Sequence, residues 1–478
     1  MPIAADRERL IDEIARWAVR PRISIITPVF NAPADGLRRC AASVRGQIYP
    51  DWEWCVCDDG STEAETRAIL ASLSDDARVR IVRLPANAGI VSASNAAVAL
   101  ATGEFVAFLD QDDELSLEAL AEIVRPIAEH PSIDLIYSDE DKIDQRGAPV
   151  QPHFKPDWSP ELLRSCMYVS HLTVMRRRLL EAAGGFRSGT DGAQDYDLLL
   201  RASLQSPRVA HVPKVLYHWR MTDGSAANSQ LQKPWAIAAG RRVLEEDARR
   251  RGAPQAIESA GAAGHYRVRA RAERSQDVRV VQTAAAPAAA IPGTEPYVLF
   301  CAPSRRPPAP DAIAVLRTAC SETAVGVVGG FVFQPDGTID SAGIVLTRGI
   351  PLPAFHGEPT WTRGHLSNIT DVRNCAAVSG ALFMTRRDVL ERVGIDKEAA
   401  GLWDIDYCLR VRAAGLRVAI TPHARIRMTT ARSPGSPRDL ARLQSVWGAA
   451  LDRDPYYNPN FDQSAATFRL PAPPVPGA

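Results

Sequence analysis

The chain of 478 residues is 46% hydrophobic and 23% charged, which allows ordinary buried cores and fits two domains better than one. Lysine plus arginine and aspartate plus glutamate both count 56, so there is no global basic excess of the kind that draws a whole chain to nucleic acid, and that class is excluded. The eight cysteines form no CxxC pair and sit in apolar runs such as Trp54-Cys55-Val56-Cys57; with no long apolar run and no signal-peptide pattern, they predict buried thiols in a cytoplasmic protein.

Residues 6 to 20 place Leu10, Ile11, Ile14 and Trp17 at helical spacing, predicting an amphipathic helix within residues 1–22. Its acids and bases balance, which favours packing on the following domain; peripheral membrane contact is the alternative. From Ile23 to about Leu135, short apolar runs alternate with longer amphipathic ones. Ile23-Ser24-Ile25-Ile26, Trp54-Cys55-Val56-Cys57, Val79-Arg80-Ile81-Val82 and Phe105-Val106-Ala107-Phe108-Leu109 read as strands. Leu37 to Gln47, Glu63 to Leu73, Gly89 to Leu100 and Leu117 to His130 read as helices between or after them. Such βαβ alternation predicts an α/β domain over residues 23–250, with a mostly parallel sheet and ligands at the carboxyl ends of its strands.

Past Arg251 the composition shifts to Ala, Arg, Gly and Pro, so residues 251–296 read as a linker or degenerate segment. A second structured region is expected over 297–462 and a disordered Pro-rich tail over 463–478. The second region partly repeats the first. Met175 to Gly184 aligns with Thr385 to Gly394, and Asp195-Tyr196-Asp197-Leu198-Leu199-Leu200-Arg201 with Asp404-Ile405-Asp406-Tyr407-Cys408-Leu409-Arg410. The nearly constant offset indicates a duplicated domain, and the copy has nothing resembling residues 23 to 100.

Three strand ends in the first region finish in polar residues: Thr27-Pro28-Val29-Phe30-Asn31, Asp58-Asp59-Gly60-Ser61 and Asp110-Gln111-Asp112-Asp113. Carboxylates gathered at one edge of a parallel sheet suit a ligand better than a core. Asp110 and Asp112, one residue apart in a turn, can direct both side chains to one hard cation. Taken alone, the acidic turn could equally start a helix, with Asp113 ahead of Glu114 and Leu115.

As a set in this order, TPVFN, DDGST, Asn87-Ala88-Gly89, Thr102-Gly103-Glu104, DQDD and the later QDYDLLLR resemble the family 2 glycosyltransferases with the GT-A fold, in which a Rossmann-like mixed sheet binds a nucleotide sugar. The similarity covers residues 23 to 250 and is nearest to bacterial rhamnosyl- or polysaccharide-building enzymes. It implies that Thr27, Pro28, Asn31, Asp58 and Asp59 hold the nucleoside and that Asn87, Gly89 and Asn95 lie at the donor. It further implies that Asp110 and Asp112 serve ribose, Mg²⁺ or Mn²⁺ and diphosphate, that His218 completes the metal site and that Asp195 is the catalytic base. Asp197 is expected to brace its helix. Ser94 stands where relatives often carry Arg, so one donor contact is missing or comes from elsewhere. Thr222-Asp223-Gly224-Ser225 is expected to close over the diphosphate. His153, Lys155 and Trp158 are expected on the acceptor side, with a packed Trp158 as the competing reading. Arg176-Arg177-Arg178 reads as a solvated helix start or a contact for acidic lipid headgroups or lipid-linked diphosphate.

The implied reaction is inverting transfer from a UDP- or dTDP-sugar to a glycan or lipid-linked glycan in cell-surface polysaccharide synthesis. In the second region, Val327-Val328-Gly329-Gly330, Pro335-Asp336-Gly337-Thr338 and Asp454 to Asn460 resemble the later half of another such domain. Tyr297 to Phe300 leads into Cys301-Ala302-Pro303-Ser304 rather than carboxylates, and Arg427 or Met428 stands in place of His218. The expectation is a truncated, inactive GT-A-like domain. Two rival functions are a non-catalytic glycan-binding or assembly scaffold and a sugar-nucleotide pyrophosphorylase; TPVFNAP is not the Gly-rich loop that the latter needs.

Overall fold

The alternating apolar runs fold into strands that stack side by side. A computed structural model describes residues 4–221, 234–253, 256–260, 262–269, 277–282, 291–303, 308–430 and 435–471. It divides the chain into two units, Met1–Trp158 with Met167–Pro254, and Ser159–Cys166 with Gln255–Ala478.

The first unit begins with α1 (Ala4–Arg16), then β1 (Ile23–Val29), α2 (Ala34–Arg45), β2 (Trp52–Asp58), α3 (Ala64–Leu73), β3 (Val79–Arg83), α4 (Ile90–Val98) and β4 (Phe105–Phe108). After the acidic turn come β5 (Glu114–Leu115), α5 (Ala119–Glu129), β6 (Leu135–Ile143) and β7 (Pro149–His153). Past α6 (Pro160–Leu163), which belongs to the second unit, follow β8 (Thr173–Arg176), α7 (Arg177–Ala183), α8 (Gln194–Ser203), β9 (Val209–Arg220) and α9 (Pro234–Arg250). The strands order as β3-β2-β1-β4-β8-β6-β9-β5, with β7 beside β6. β3, β2, β1 and β4 are parallel; β8 runs antiparallel to both β4 and β6, and β9 lies parallel to β6.

Strands covered on both faces read as continuous apolar runs, and every residue of β2 is buried. α2 buries Leu37, Cys40, Ala41 and Val44, one helical stripe, against that layer. Ile14 of α1 is buried in the same core, with Leu10 and Trp17 against it, so the apolar side of α1 packs on its own domain. The register Val29↔Asp58 and Ile26↔Phe108 brings the carboxyl ends of β1, β2 and β4 to one edge of the sheet.

In the second unit, β10 (Ile257–Ser259) and β11 (Tyr266–Val268) form a two-stranded pair, followed by β12 (Val278–Gln282), β13 (Tyr297–Cys301), α10 (Pro310–Cys320), β14 (Val325–Phe333) and β15 (Ile339–Ser341). Then come the paired β16 (Ile344–Thr347) and β17 (Ile350–Pro353), β18 (Arg373–Asn374), β19 (Leu382–Arg386), α11 (Arg387–Val393), α12 (Trp403–Ala413), β20 (Arg417–Arg427) and α13 (Pro437–Trp447). The larger sheet runs β12-β13-β19-β14-β20-β18. Its β12, β13, β19, β14 and β20 repeat, in order and in relative direction, β1, β4, β8, β6 and β9. Among the described residues nothing occupies the places of β2 and β3.

Three boundaries differ from the sequence reading. The expected linker 251–296 carries β10, β11 and β12; Val278 is buried in the core beside Leu299, so an apolar alternation too short to read alone is used as a strand. Residues 463–471, expected within a disordered tail, pack instead on the second unit: Phe468 is buried against Phe355, Tyr457 and Phe461, with ring centroids 4.8 to 5.5 Å apart. Ser159–Cys166 leaves the first domain's sequence to join the second unit, where Glu161 receives the Arg417 guanidinium at 2.8 to 3.0 Å. Among the described residues no helix is long and apolar enough to cross a membrane.

Candidate active site

The loops after β1 and β2 are tied together by the polar residues read from the sequence. Thr27 is buried and accepts the Trp54 indole N–H at 2.9 Å; Pro28 pairs with Cys57 in the register and is partly exposed. Asn31 turns the chain at a left-handed φ of 43°, and its Oδ1 accepts the backbone N–H groups of Thr62 and Glu63 at 2.8 and 3.1 Å, just ahead of α3. Asp58 accepts Ser61 N–H at 2.8 Å and faces the Arg83 guanidinium at 3.4 Å. Asp59 accepts the N–H groups of Ala88 and Gly89 at 2.7 and 3.0 Å, and Asn87 Oδ1 also accepts Gly89 N–H at 3.1 Å. Gly89, at φ 87°, meets a conformation that a side chain would strain. Asn95 exchanges two hydrogen bonds with the Phe186 backbone, at 2.8 and 3.1 Å, and so braces α4.

The acidic turn after β4 supplies the charge. Asp113 is buried, accepting the Tyr217 hydroxyl at 2.6 Å and the Arg220 N–H at 2.8 Å. Burial first, then the carboxylates of Asp110 and Asp112, push its acid well above the usual range. Ligand atoms of Asp110, Asp113 and His171 all lie within 4.8 Å of one another. Two carboxylate oxygens and an imidazole nitrogen form a donor set that fits Mg²⁺ or Mn²⁺, and the crowded negative charge is what a divalent cation would offset. Asp112 lies next to Asp113 and two positions from Asp110, with its Cβ against Gly36.

Asp110 and His171 share a cavity with Phe108, Ser170, Thr173, Met175, Asp195, Leu198 and Leu199. Asp195 stands in the first turn of α8, and its acid is raised to about 6, chiefly by burial and further by Asp110, with His171 opposing. A carboxyl group tuned toward neutrality can both hold and release a proton near physiological pH. Asp197, two residues on, is buried between Arg201 at 2.8 Å and Arg187 at 3.0 Å and braces α8, as its motif position implies.

These contacts bear on two expectations. His218 is not among the clustered donors: its Nδ1 meets Asp141 Oδ1 at 2.6 Å, on the β9 strand where it lies opposite Glu114 of β5. Lys155 cannot face an acceptor, because it is fully buried; its Nζ donates to Val169 O at 2.6 Å and to Glu140 at 3.3 Å. Burial would raise Glu140, but Lys155 and His153 outweigh it and hold the acid at about 2. His153 lies 3.1 Å from the same carboxylate, and Trp158, partly exposed, sits 6.5 Å from the Tyr137 ring. The loop at Thr222-Asp223-Gly224-Ser225 falls outside the described residues.

His171 and Asp113 were missed by sequence reasoning. His171 stacks on Tyr217 at 4.5 Å and donates its backbone N–H to Glu140 at 2.7 Å, yet no motif surrounds it. Asp113 carried a signal, as the third acid of the turn, but was read as a helix start.

Residues 24–184 match the family model described as Glycosyl transferase family 2. The chain contains a family 2 glycosyltransferase domain. Its parallel β3-β2-β1-β4 half and antiparallel β8 make the mixed sheet of the GT-A fold. Among curated relatives, the uncharacterized protein y4gI of Sinorhizobium fredii is 33% identical over 97% of this chain and 60% of its own length. The O-antigen biosynthesis protein RfbC of Myxococcus xanthus is 31% identical over 98% of this chain and 42% of its own. The chain thus spans about half the length of these relatives, and the likeness to them runs through both units, beyond the family 2 domain. The solved structure of residues 1–349 of S. aureus TarS with UDP-GlcNAc is 23% identical, covering 48% of this chain and 72% of that one, at a TM-score of 0.38.

Proposed function

We propose that the chain is an inverting glycosyltransferase that moves a sugar from a UDP- or dTDP-sugar to a glycan or lipid-linked glycan acceptor in polysaccharide synthesis. One observation carries the reading: Asp195, with its acid raised to about 6, shares one cavity with Asp110 and His171 at the carboxyl edge of the sheet. In this reading Asp58 accepts the pyrimidine N3–H, and Asp59 shapes the loop beside it. Asp110, Asp113 and His171, with Asp112 adjacent, hold a divalent cation, which when bound offsets the charge of the diphosphate leaving group.

An acceptor hydroxyl is a poor nucleophile until its proton is taken. Asp195 removes that proton as the oxygen attacks the anomeric carbon, and the nucleoside diphosphate leaves from the opposite face. In this reading Asp110, Asp112 and Asp113 serve the cation, which leaves Asp195 as the base among the described residues of the cavity and supports a single displacement. His153 and Trp158 line the acceptor side in this proposal, and the second unit, with nothing in the places of β2 and β3 among its described residues, is an inactive relative of the first.

A panel of UDP-, dTDP- and GDP-sugars, followed by NMR of the product, tests the reading. An α-linked donor gives a β-linked product; retention of configuration overturns the mechanism. Donor binding without any turnover, across acceptors, would instead make the chain a binding scaffold.

A further inference from the structure

The second unit brings together three residues from distant parts of the sequence. Cys166 follows α6, His265 opens β11, and Asp371 precedes β18; ligand atoms of the three lie within 4.8 Å of one another. They are held there by backbone: Cys166 and His265 pair in an antiparallel bridge, and Tyr266 N–H donates to Ser165 O at 2.7 Å. Asp371 is buried, and its two carboxylate oxygens lie 2.8 and 3.0 Å from His265 Nδ1. Cys166 and His265 are partly exposed, so the cluster can be reached from solvent.

We propose that Cys166, His265 and Asp371 form a structural site for a thiophilic divalent cation, zinc above all, separate in chemistry from the Mg²⁺ or Mn²⁺ site of the first unit. Tetrahedral zinc bonded at 2.0–2.3 Å sets its ligand atoms about 3.3–3.8 Å apart, so the observed cluster needs only small side-chain movement to receive it. The charges also balance. A thiolate, a carboxylate and a neutral imidazole cancel Zn²⁺, whereas a hard cation gains little from sulfur.

A second observation points the same way. β18 pairs with β20 at Arg373↔Ile420, and three residues past Ile420 the Nε2 of His423 is buried with no hydrogen-bond partner among the described residues. A ring nitrogen left unsatisfied inside a protein costs stability, and a metal-bound water is one way to satisfy it. Metal binding ionises the thiol: the S–H proton goes to solvent, the sulfur lone pair bonds the cation, and the imidazole keeps its single proton on the nitrogen that does not coordinate.

The test uses the whole chain, stripped with chelator and titrated with Co²⁺ and then Zn²⁺. Expected are a thiolate-to-cobalt absorption band that saturates at one Co²⁺ per chain, apart from any Co²⁺ taken up without a band by the first unit, loss of the band on adding Zn²⁺, and release of about one proton as the band develops. Cys166→Ser and His265→Ala should each abolish the band. Asp371→Asn, which retains an acceptor and the side-chain shape, should weaken metal affinity at least tenfold while the metal-free melting temperature stays close to wild type. A band that survives Cys166→Ser, or stripped protein that gives no thiolate-to-cobalt band with Co²⁺ while remaining folded by circular dichroism, overturns the site. Neither readout depends on sugar transfer, so this proposal and the proposed reaction fail separately.

Discussion

Asp195 and Asp404 occupy the same place in two copies of one motif, in the first turns of α8 and α12, each behind an antiparallel strand and a short helix. Around Asp195 the chain assembles Asp110, His171 and a cavity. Around Asp404 it assembles packing. Asp404 is buried and accepts Gly380 N–H at 2.5 Å, while Asp406 takes Arg410 at 2.6 Å and the Trp447 indole N–H at 2.9 Å. The strand beside it, β13, ends in buried Cys301 with no carboxylate to follow. The comparison teaches that the motif by itself specifies a helix start; chemistry comes from what the neighbouring strand end delivers to it.

The sharpest way to break the comparison is to remove what Asp195 has and Asp404 lacks. Chelator, or Asp110→Ala, should abolish donor turnover. His171→Ala should raise the Mn²⁺ concentration needed for half-maximal rate, while His218→Ala, altering a residue already engaged by Asp141, should shift it far less. If His218→Ala proves the stronger of the two, the cation sits nearer β9 than the clustered donors imply.

Next in size is the base. Asp195→Asn keeps shape but not basicity, so kcat should fall by at least the ~10²-fold typical of losing general-base catalysis, with donor Kd little changed. Asp404→Asn should leave kcat within about twofold. An inactive Asp404 variant with unchanged melting would reverse the assignment of the two units.

A smaller effect is the pH profile. As the proposed base Asp195 would work ionised, and its acid is raised to about 6, so kcat should rise with pH and level off above that value, falling about tenfold per unit below it. The same shift acts oppositely on stability. Because the folded state keeps this proton more tightly than the unfolded chain, its contribution favours the fold at low pH and is lost as pH climbs from about 4 to about 6. Cation bound beside Asp110 should move the kinetic limb lower; a limb that stays put when Mn²⁺ is varied would separate Asp195 from the metal.

The fold was legible where physics writes it locally. WCVC and FVAF are apolar because β2 and β4 are covered on both faces, and the acidic and amidic strand ends mark the edge where ligands bind. β6 was not legible. Its Ser138-Asp139-Glu140-Asp141 stretch is charged and fully buried, which makes sense only once His211, Lys155, His153 and His218 arrive from elsewhere in the chain to pair with it. The same distance hid His171. It reaches Asp110 through the antiparallel packing of β8 between β4 and β6, a relation no spacing in the sequence encodes.

The smallest expected effect falls on stability alone. Asp404→Ala removes the acceptor of a buried backbone N–H, which costs roughly 1–3 kcal/mol and should lower the melting temperature by several degrees with turnover intact. A matching loss in Asp195→Ala is not expected, since desolvation and Asp110 disfavour that carboxylate in the folded chain.

Ser159–Cys166 lies between Trp158 and Met167, both in the first unit, yet belongs to the second. The polypeptide therefore passes from one body to the other three times, not once. Neither body is a cassette that a single genetic crossover could exchange: a chain ended near Pro254 would carry Glu161 without Arg417, and the remainder, begun at Gln255, would lack the strip that pairs with His265. Evolution, like an engineer cutting this gene in two, would have to keep both bodies or rewrite eight residues in the middle of the first.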